Sequence, residues 1–353
     1  MKETRKLNIA VIFGGVSSEY GVSLQSAYAV ITNMDQKKYC PVMIGITREG
    51  RWLHFTGDCA KIKEDIWWKD ASCVPAMLSP NHDEQIMLRL EEKRTEAIPI
   101  DAVFPVLHGR NGEDGTLQGL IELAGFPLIG CGTLSSALCM DKDRAHKLVQ
   151  TIGIRVAKSL VINRLSDMGH ARMFAGYIGY PLYVKPVKAG SSYGMTKVKA
   201  IEELEQAVAL AFAYDNQVIL EENIEGFEVG CAILGKEDLI VGEVDEIELS
   251  QGFFDYTEKY TLKSSKIHVP ARISPEKAKE IKEAGKAIYR ILGCSGFARV
   301  DMFLTPEGEI VFNEVNTIPG FTEHSRYPKM MQAAGYSFPK LLDMLVRCGI
   351  DRE

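Results

Sequence analysis

The hydrophobic pattern divides the chain before any single residue is weighed. "LNIAVIF" (7–13) is an apolar run, interrupted only by Asn8 and closed by two glycines. A run this short, stopped by a turn signal, predicts a buried strand. "VSLQSAYAVITNM" (22–34) reads as a helix, and "CPVMIGIT" (40–47) and "DAVFPVL" (101–107) read as further strands. Strand and helix alternate, which predicts a parallel α/β sheet covered by helices over residues 1–130.

A second unit, 131–221, carries a helix from Asp141 in "MDKDRAHKLVQTIGI". Strands "SLVIN" (159–163) and "YPLYVKPV" (180–187) follow, then a glycine-rich loop, the helix "IEELEQAVALAFAY" (201–214) and the strand "QVILEEN" (217–223). The third unit, 222–353, opens with "FEVGCAILG" and "LIVGEVDEI". The polar stretch 248–268, "ELSQGFFDYTEKYTLKSSKIH", shows no period and is long enough to be a functional loop. A helix (275–293), two strands and two closing helices complete the chain. The fold class is mixed α/β, with an N-terminal parallel sheet.

Composition narrows the class. The chain has 353 residues, 46% of them hydrophobic, which suits two or three packed units. A net charge of −6 without a basic block speaks against nucleic acid as a partner. No apolar stretch approaches the roughly 20 residues that span a bilayer, so no membrane is expected. The N-terminus reads as a strand rather than a leader. Eight scattered cysteines without a CxxC pair read as reduced thiols in a cytoplasmic protein.

Candidate chemistry gathers on the strand pair "GFARVDMFL" and "EIVFNEVN", joined by Thr305-Pro306-Glu307-Gly308. Proline second and glycine last suit a turn. A four-residue loop pairs Leu304 with Glu309, Asp301 with Phe312 and Arg299 with Glu314. Alternation then puts Arg299, Asp301, Phe303, Ile310, Phe312, Glu314 and Asn316 on one face. Two carboxylates and an amide are hard oxygen donors that suit Mg²⁺ beside a phosphate. A plain surface ion pair of Arg299 with Glu314 is the alternative.

Lys185 ends a strand and precedes "KAGSSYGM", whose glycines, serines and N–H groups can hold phosphate oxygens. A simple hairpin turn is an equal reading of that loop. Neither a GxxxxGK[ST] string nor GxGxxG is present. Lys142 is a second candidate phosphate partner, or a solvated helix lysine.

Taken in order, "FGGVSSEYGVSLQSA", "VLHGRNGEDGTLQG", "MDKDRAHK", "VKPVKAGSSYGM", "LEENIEGFEV", "FDYTEKY", "GFARVDMF" and "NEVNTIPGFTEHS" run the length of the chain. Together they closely resemble the D-alanine–D-alanine ligase family of ATP-grasp enzymes. The resemblance implies a three-domain ATP-grasp fold that uses ATP to join two D-amino acids for peptidoglycan. It implies two Mg²⁺ ions, with Mn²⁺ able to substitute, on Asp301, Glu314 and Asn316. It implies ATP contacts from Lys142, Lys185, Ser192 and Lys259, with Glu221 and Glu228 around adenine and ribose. Glu19 matches the carboxylate that holds the first D-alanine's ammonium, with Ser191 and Tyr260 as hydrogen-bond partners under a lid. His108 matches a substrate-side histidine, and Arg299 with the Gly320 N–H the oxyanion donors. A homodimer is expected. Tyr20-Gly21 departs from the family pattern of a basic residue or histidine followed by an acidic one.

Family members differ in their second substrate. "EKY" in the lid favours an amine over D-lactate. "EHSRYP" and the lid string resemble the D-alanine–D-serine ligases of vancomycin-resistance operons. Ser325, at a helix start, is expected to cap it and to face the substrate carboxylate. Arg326 is expected to bind the D-serine hydroxyl. A second D-alanine is the alternative substrate. A nucleotide-binding sensor on a disabled scaffold predicts loss of a metal carboxylate or of Arg299, and all are present.

Overall fold

The computed structural model describes residues 5–163, 168–188, 190, 193–249 and 265–351. The first sheet comprises β1 (Leu7–Gly14), β2 (Tyr39–Ile46), β3 (Trp52–Phe55), β4 (Val74–Leu78), β5 (Ile86–Leu90), β6 (Thr95–Pro99) and β7 (Ala102–Pro105), in the order β6-β5-β4-β3-β2-β1-β7. Only β1 with β2 and β1 with β7 pair in parallel. β2 through β6 form an antiparallel meander, so the expected parallel sheet is in fact mixed. The β2–β3, β4–β5 and β5–β6 connections are too short to carry the crossover that parallel pairing requires, and the longer β3–β4 connection, which holds the short helix Ala60–Lys63, also returns its strand antiparallel.

The second sheet takes part of the middle of the chain: β8 (Arg155–Val156) is excluded from it, while β9 (Ser159–Asn163), β10 (Leu182–Pro186), β11 (Thr196–Val198) and β12 (Gln217–Glu222) run in the order β11-β10-β12-β9. All its pairings are antiparallel. Helices Met168–Ile178 and Ile201–Phe212 cover one face, burying Leu182, Val184, Val218 and Leu220 in a cluster of its own.

The third sheet contains β13 (Phe227–Gly235), β14 (Ile240–Val241), β15 (Asp245–Leu249), β16 (Ser265–His268), β17 (Gly296–Leu304) and β18 (Ile310–Asn316). Its order is β16-β15-β13-β17-β18-β8, with β14 beside β13. Helix Pro275–Ile291 starts where Ser274 accepts the Lys277 N–H, with proline at its first position, and buries Ile281, Ile288 and Tyr289 on this sheet. Cys131, Cys139, Ala145 and Val149 belong to the same core. The helices Thr133–Met140 and Lys142–Gln150 therefore pack with the third unit, not with the second to which their position in sequence assigned them. Sequence order misleads here because β8 returns to pair with β18.

The first and third units share one core. Phe104 of β7 lies 5.9 Å from Phe297 of β17, and Phe297 lies 5.6 Å from Phe321 and 5.7 Å from Tyr327. The closing helices Arg326–Ala333 and Phe338–Ile350 bury Met330, Met331, Leu341 and Leu345 in that cluster. The middle unit has a separate core, so a cleft against it can open without breaking one. The ends of the expected polar loop are strands: Glu246 to Leu249 pair with Ser265 to His268. The expected lid between them lies outside the described residues.

Candidate active site

A cleft of about 330 Å³ lies between the middle sheet and the third sheet. Lys142 and Lys185 line it, together with Glu221, Glu228, Phe303 and Glu314. Asp141 caps the helix beginning at Lys142 by accepting the Arg144 N–H at 3.0 Å, which fixes that lysine at the helix start. Both lysines are buried. Lys185 Nζ stands 2.6 Å from Glu221 Oε2. Burial raises the Glu221 carboxyl, but the neighbouring charges, Lys185 foremost, outweigh it and the net shift is downward.

A larger pocket, about 840 Å³, lies between the first and third units. Glu19, His108, Arg299, Gly320, Ser325 and Arg326 all line it, as the sequence groups them. Glu19 stands at the start of helix Tyr20–Asn33 but makes no cap bond, so its carboxylate is directed elsewhere. It lies against Gly109 and Gly190, where a Cβ on Gly190 would sit 2.8 Å from Oε2. Glycine is needed there for close approach.

His108 is buried, and desolvation pushes its pKa down to about 4. Its Nδ1–H donates to the Ile318 carbonyl at 2.8 Å, and Nε2 accepts from Ser26 Oγ at 3.0 Å. Ser26 Oγ also accepts the Phe321 N–H. This neutral imidazole therefore holds the loop bearing Gly320. Tyr20, the departure from the family pattern, is buried under it all. Its hydroxyl accepts the Trp67 Nε1–H at 3.2 Å, and Arg48 lies 3.9 Å over its ring. The substitution exchanges a polar group for an anchor beside Glu19.

Glu113 is a site residue that the sequence reading missed, although it stands in the quoted string "HGRNGEDG". It lines the pocket and accepts N–H groups of Gly109 at 2.8 Å and Ile318 at 3.1 Å. Burial, then the neighbouring Glu19 charge, push its carboxyl well above the ordinary value of 4.5. The folded protein thus holds a proton that the unfolded chain releases at lower pH. Stability contributed by this group falls as pH rises above 4.5. Glu113→Gln should flatten the pH dependence of urea unfolding above pH 5, and an unchanged slope would refute that assignment.

The metal-type cluster forms, but in a different register. Thr305 N–H bonds to the Glu309 carbonyl at 3.0 Å, so the loop holds five residues and Leu304 pairs with Ile310. Asn313 then bulges from β18, and the register shifts again between Met302 and Asp301. Asp301 ends opposite Glu314, and Arg299 opposite Asn316. Two one-residue shifts restore the parity of the polar residues and keep all four on one face. Ile310 and Phe312, expected beside them, instead face Leu304 and Met302 and join the apolar core.

Asp301 is 1% exposed and tightly held. Arg299 Nε and Nη2 approach it at 2.8 and 2.7 Å, and Asn316 Nδ2 at 2.8 Å. The oxygens of Asp301, Glu314 and Asn316 are hard donors, and Glu314 lines the smaller cleft while Asn316 lines the larger pocket. That set fits Mg²⁺, which takes one or two carboxylates and completes its shell with phosphate and water. Among the described residues no group of three or more His, Cys, Asp and Glu is placed to hold a metal ion, so a cation here would need the Asn316 amide and phosphate oxygens as well.

Arg326 does not stand ready for a substrate hydroxyl. Its Nε and Nη2 hold Asp245 at 2.7 and 2.8 Å, Nη1 holds Glu228 at 2.6 Å, and Nη2 lies 3.3 Å from Asp301. Three of its five N–H donors are thereby committed, and a third carboxylate, Asp301, stands within ion-pair range. Asp245, which no sequence motif singles out, arrives from β15 and is fully buried. Ser325 does occupy the helix N-cap, but its hydroxyl accepts the Thr322 N–H at 3.0 Å rather than a helix N–H. Ser191, Ser192, Lys259 and Tyr260 lie outside the described residues.

A separately cored sheet closing over a mixed sheet, with buried lysines and carboxylates lining the cleft between them, is the architecture of an ATP-grasp ligase. Residues 8–131 match the family described as D-ala D-ala ligase N-terminus, and residues 148–347 the one described as D-ala D-ala ligase C-terminus. The chain belongs to the D-alanine–D-alanine ligase family, whose members form a peptide bond and are ATP-dependent. It is 45% identical to the vancomycin B-type resistance protein VanB of Enterococcus faecalis over 98% of this chain and 99% of that one. It is 43% identical to a D-alanine–D-alanine ligase of Caldicellulosiruptor bescii, over 99% and 96%. Among solved structures, the VanG D-Ala:D-Ser ligase from Enterococcus faecalis superimposes with a TM-score of 0.91 at 58% identity, covering 98% of this chain and 100% of that one.

Proposed function

We propose that this enzyme joins D-alanine to D-serine for peptidoglycan precursors that confer vancomycin resistance, acting as a homodimer in the cytoplasm. The observation that carries the choice is the polar wall of the larger pocket, where Asn316, Thr322, His324 and Ser325 stand together. A methyl side chain gains nothing from such a wall, whereas a hydroxyl can bond to it directly or through water. The solved ligase at 58% identity, described as a D-Ala:D-Ser ligase, supports the same reading.

The reaction follows from the two cavities. A carboxylate is a poor electrophile, so ATP transfers its terminal phosphoryl group to a carboxylate oxygen of D-alanine and ADP departs. Lys142 and Lys185 offset phosphate charge in the nucleotide cleft, with Ser192 and Lys259 assigned to the same task. Glu19 holds the D-alanine ammonium, with Ser191 and Tyr260 as its partners. The D-serine amine then attacks the acyl carbon, and phosphate leaves with the carbonyl restored. Arg299 and the Gly320 N–H line the pocket where oxyanion charge develops, each good donor contributing about 3–4 kcal/mol. Asp301, Glu314 and Asn316 would hold two Mg²⁺ ions, which when bound neutralise charge on the transferring phosphoryl group.

Equal amounts of D-alanine and D-serine should give mainly the mixed dipeptide, read by chromatography. Predominant D-alanyl-D-alanine at neutral pH would establish the alternative, a D-alanine–D-alanine ligase.

A further inference from the structure

Two buried acceptors face each other in the nucleotide cleft, and among the described residues neither has a donor. His146 lies one helical turn beyond Lys142, on the same face of the helix. Its Nε2 is 2.8 Å from the Asn313 carbonyl. A carbonyl only accepts, so Nε2 carries the proton and Nδ1 presents a lone pair. Phe312 holds the ring edge-on at 5.4 Å. Among the described residues Nδ1 is buried and without a partner, and so is Glu221 Oε1. The two atoms are 3.9 Å apart, with side chains only 4% and 7% exposed. The other Glu221 oxygen is taken by Lys185.

Two lone pairs at that separation cannot satisfy each other, and leaving both unpaired is unfavourable. One nitrogen carrying two N–H groups can bond to both. An oxygen in the same place would be a third acceptor and be repelled. We infer that His146 and Glu221 together read the 6-amino group of a purine, making His146 a residue that selects ATP over 6-oxo purine triphosphates. The inference rests on the ATP-dependent reading above and adds the means of base discrimination.

The test compares ATP with inosine triphosphate in phosphate release driven by D-alanine, for wild type, His146→Leu and His146→Gln. Calorimetry compares ADP with inosine diphosphate on the same proteins. Wild type should favour ATP by about a hundredfold or more in kcat/KM, within the range set by unpaired buried polar groups. His146→Leu should cut that ratio about tenfold through the KM for ATP, leaving the inosine nucleotide within about twofold. Glutamine can donate to the Asn313 carbonyl and still present an oxygen, so His146→Gln should retain most of the preference. An unchanged ratio in His146→Leu, or an equal loss with both nucleotides, overturns the inference. Wild type that releases phosphate equally well with both nucleotides also overturns it and leaves the ligase reading standing. Conversely, failure of phosphate release while ADP still outbinds inosine diphosphate would sink the ligase reading and support this one.

Discussion

Arg326→Leu should abolish turnover with D-alanine and D-serine alike, rather than exchange one for the other. Its guanidinium is the only link seen joining Glu228 of the nucleotide cleft, Asp245 of β15 and Asp301 of β17 among the described residues. Asp245 is 0% exposed and Asp301 1%. Breaking a buried pair by removing one partner leaves charge that neither water nor protein offsets, a loss of about 3–5 kcal/mol. Asp301 would then lean further on Arg299, drawing the proposed oxyanion donor away from the pocket. A displaced donor alone lowers turnover about a hundredfold or more. Lysine should not restore function, because it cannot hold Asp245 through two parallel bonds. Urea unfolding and dipeptide formation measure the two effects separately. A stable Arg326→Leu that makes dipeptide at near-normal rate, with the product ratio moved toward D-alanyl-D-alanine, would restore the hydroxyl-reading role and refute the structural one.

The same residue shows where sequence stops being informative. Arg326 was legible as a charged group at a helix start, but its partners come from β13, β15 and β17, which are remote in sequence. Only the fold reveals that its donors are already engaged. Glu113 was hidden differently: it sat in a quoted string, yet its raised carboxyl depends on burial and on Glu19 from another element. The strand pair was more readable. Alternation placed Arg299, Asp301, Glu314 and Asn316 together because the side-chain period in a strand is two. The loop length and the Asn313 bulge were not readable, and their two shifts left the polar residues in place while sending Ile310 and Phe312 to the core. The mixed character of the first sheet was missed because β4 to β6 carry weak, half-exposed patterns.

Glu314→Gln should leave the fold intact and remove most phosphate release. Glu314 and Asp301 face each other across β17 and β18, yet they are bound differently. Asp301 is buried and held by two guanidinium groups and an amide, so its replacement would release Arg299 and Arg326 together. Stability and chemistry would fall at once, and the result could not be assigned. Glu314 is only half-buried and lines the nucleotide cleft, two residues from Asn316 in the larger pocket. That spacing puts both side chains on one face of a strand, one at each cavity, where a phosphoryl group must pass between them. Glutamine keeps the shape and one oxygen but loses the charge that holds a hard cation. Turnover should fall about a hundredfold or more, with half-maximal Mg²⁺ moving to higher concentration. The midpoint of urea unfolding should stay close to wild type. Near-normal phosphate release at saturating Mg²⁺ would remove Glu314 from the metal set and leave the pair with Asp301 as a purely structural contact.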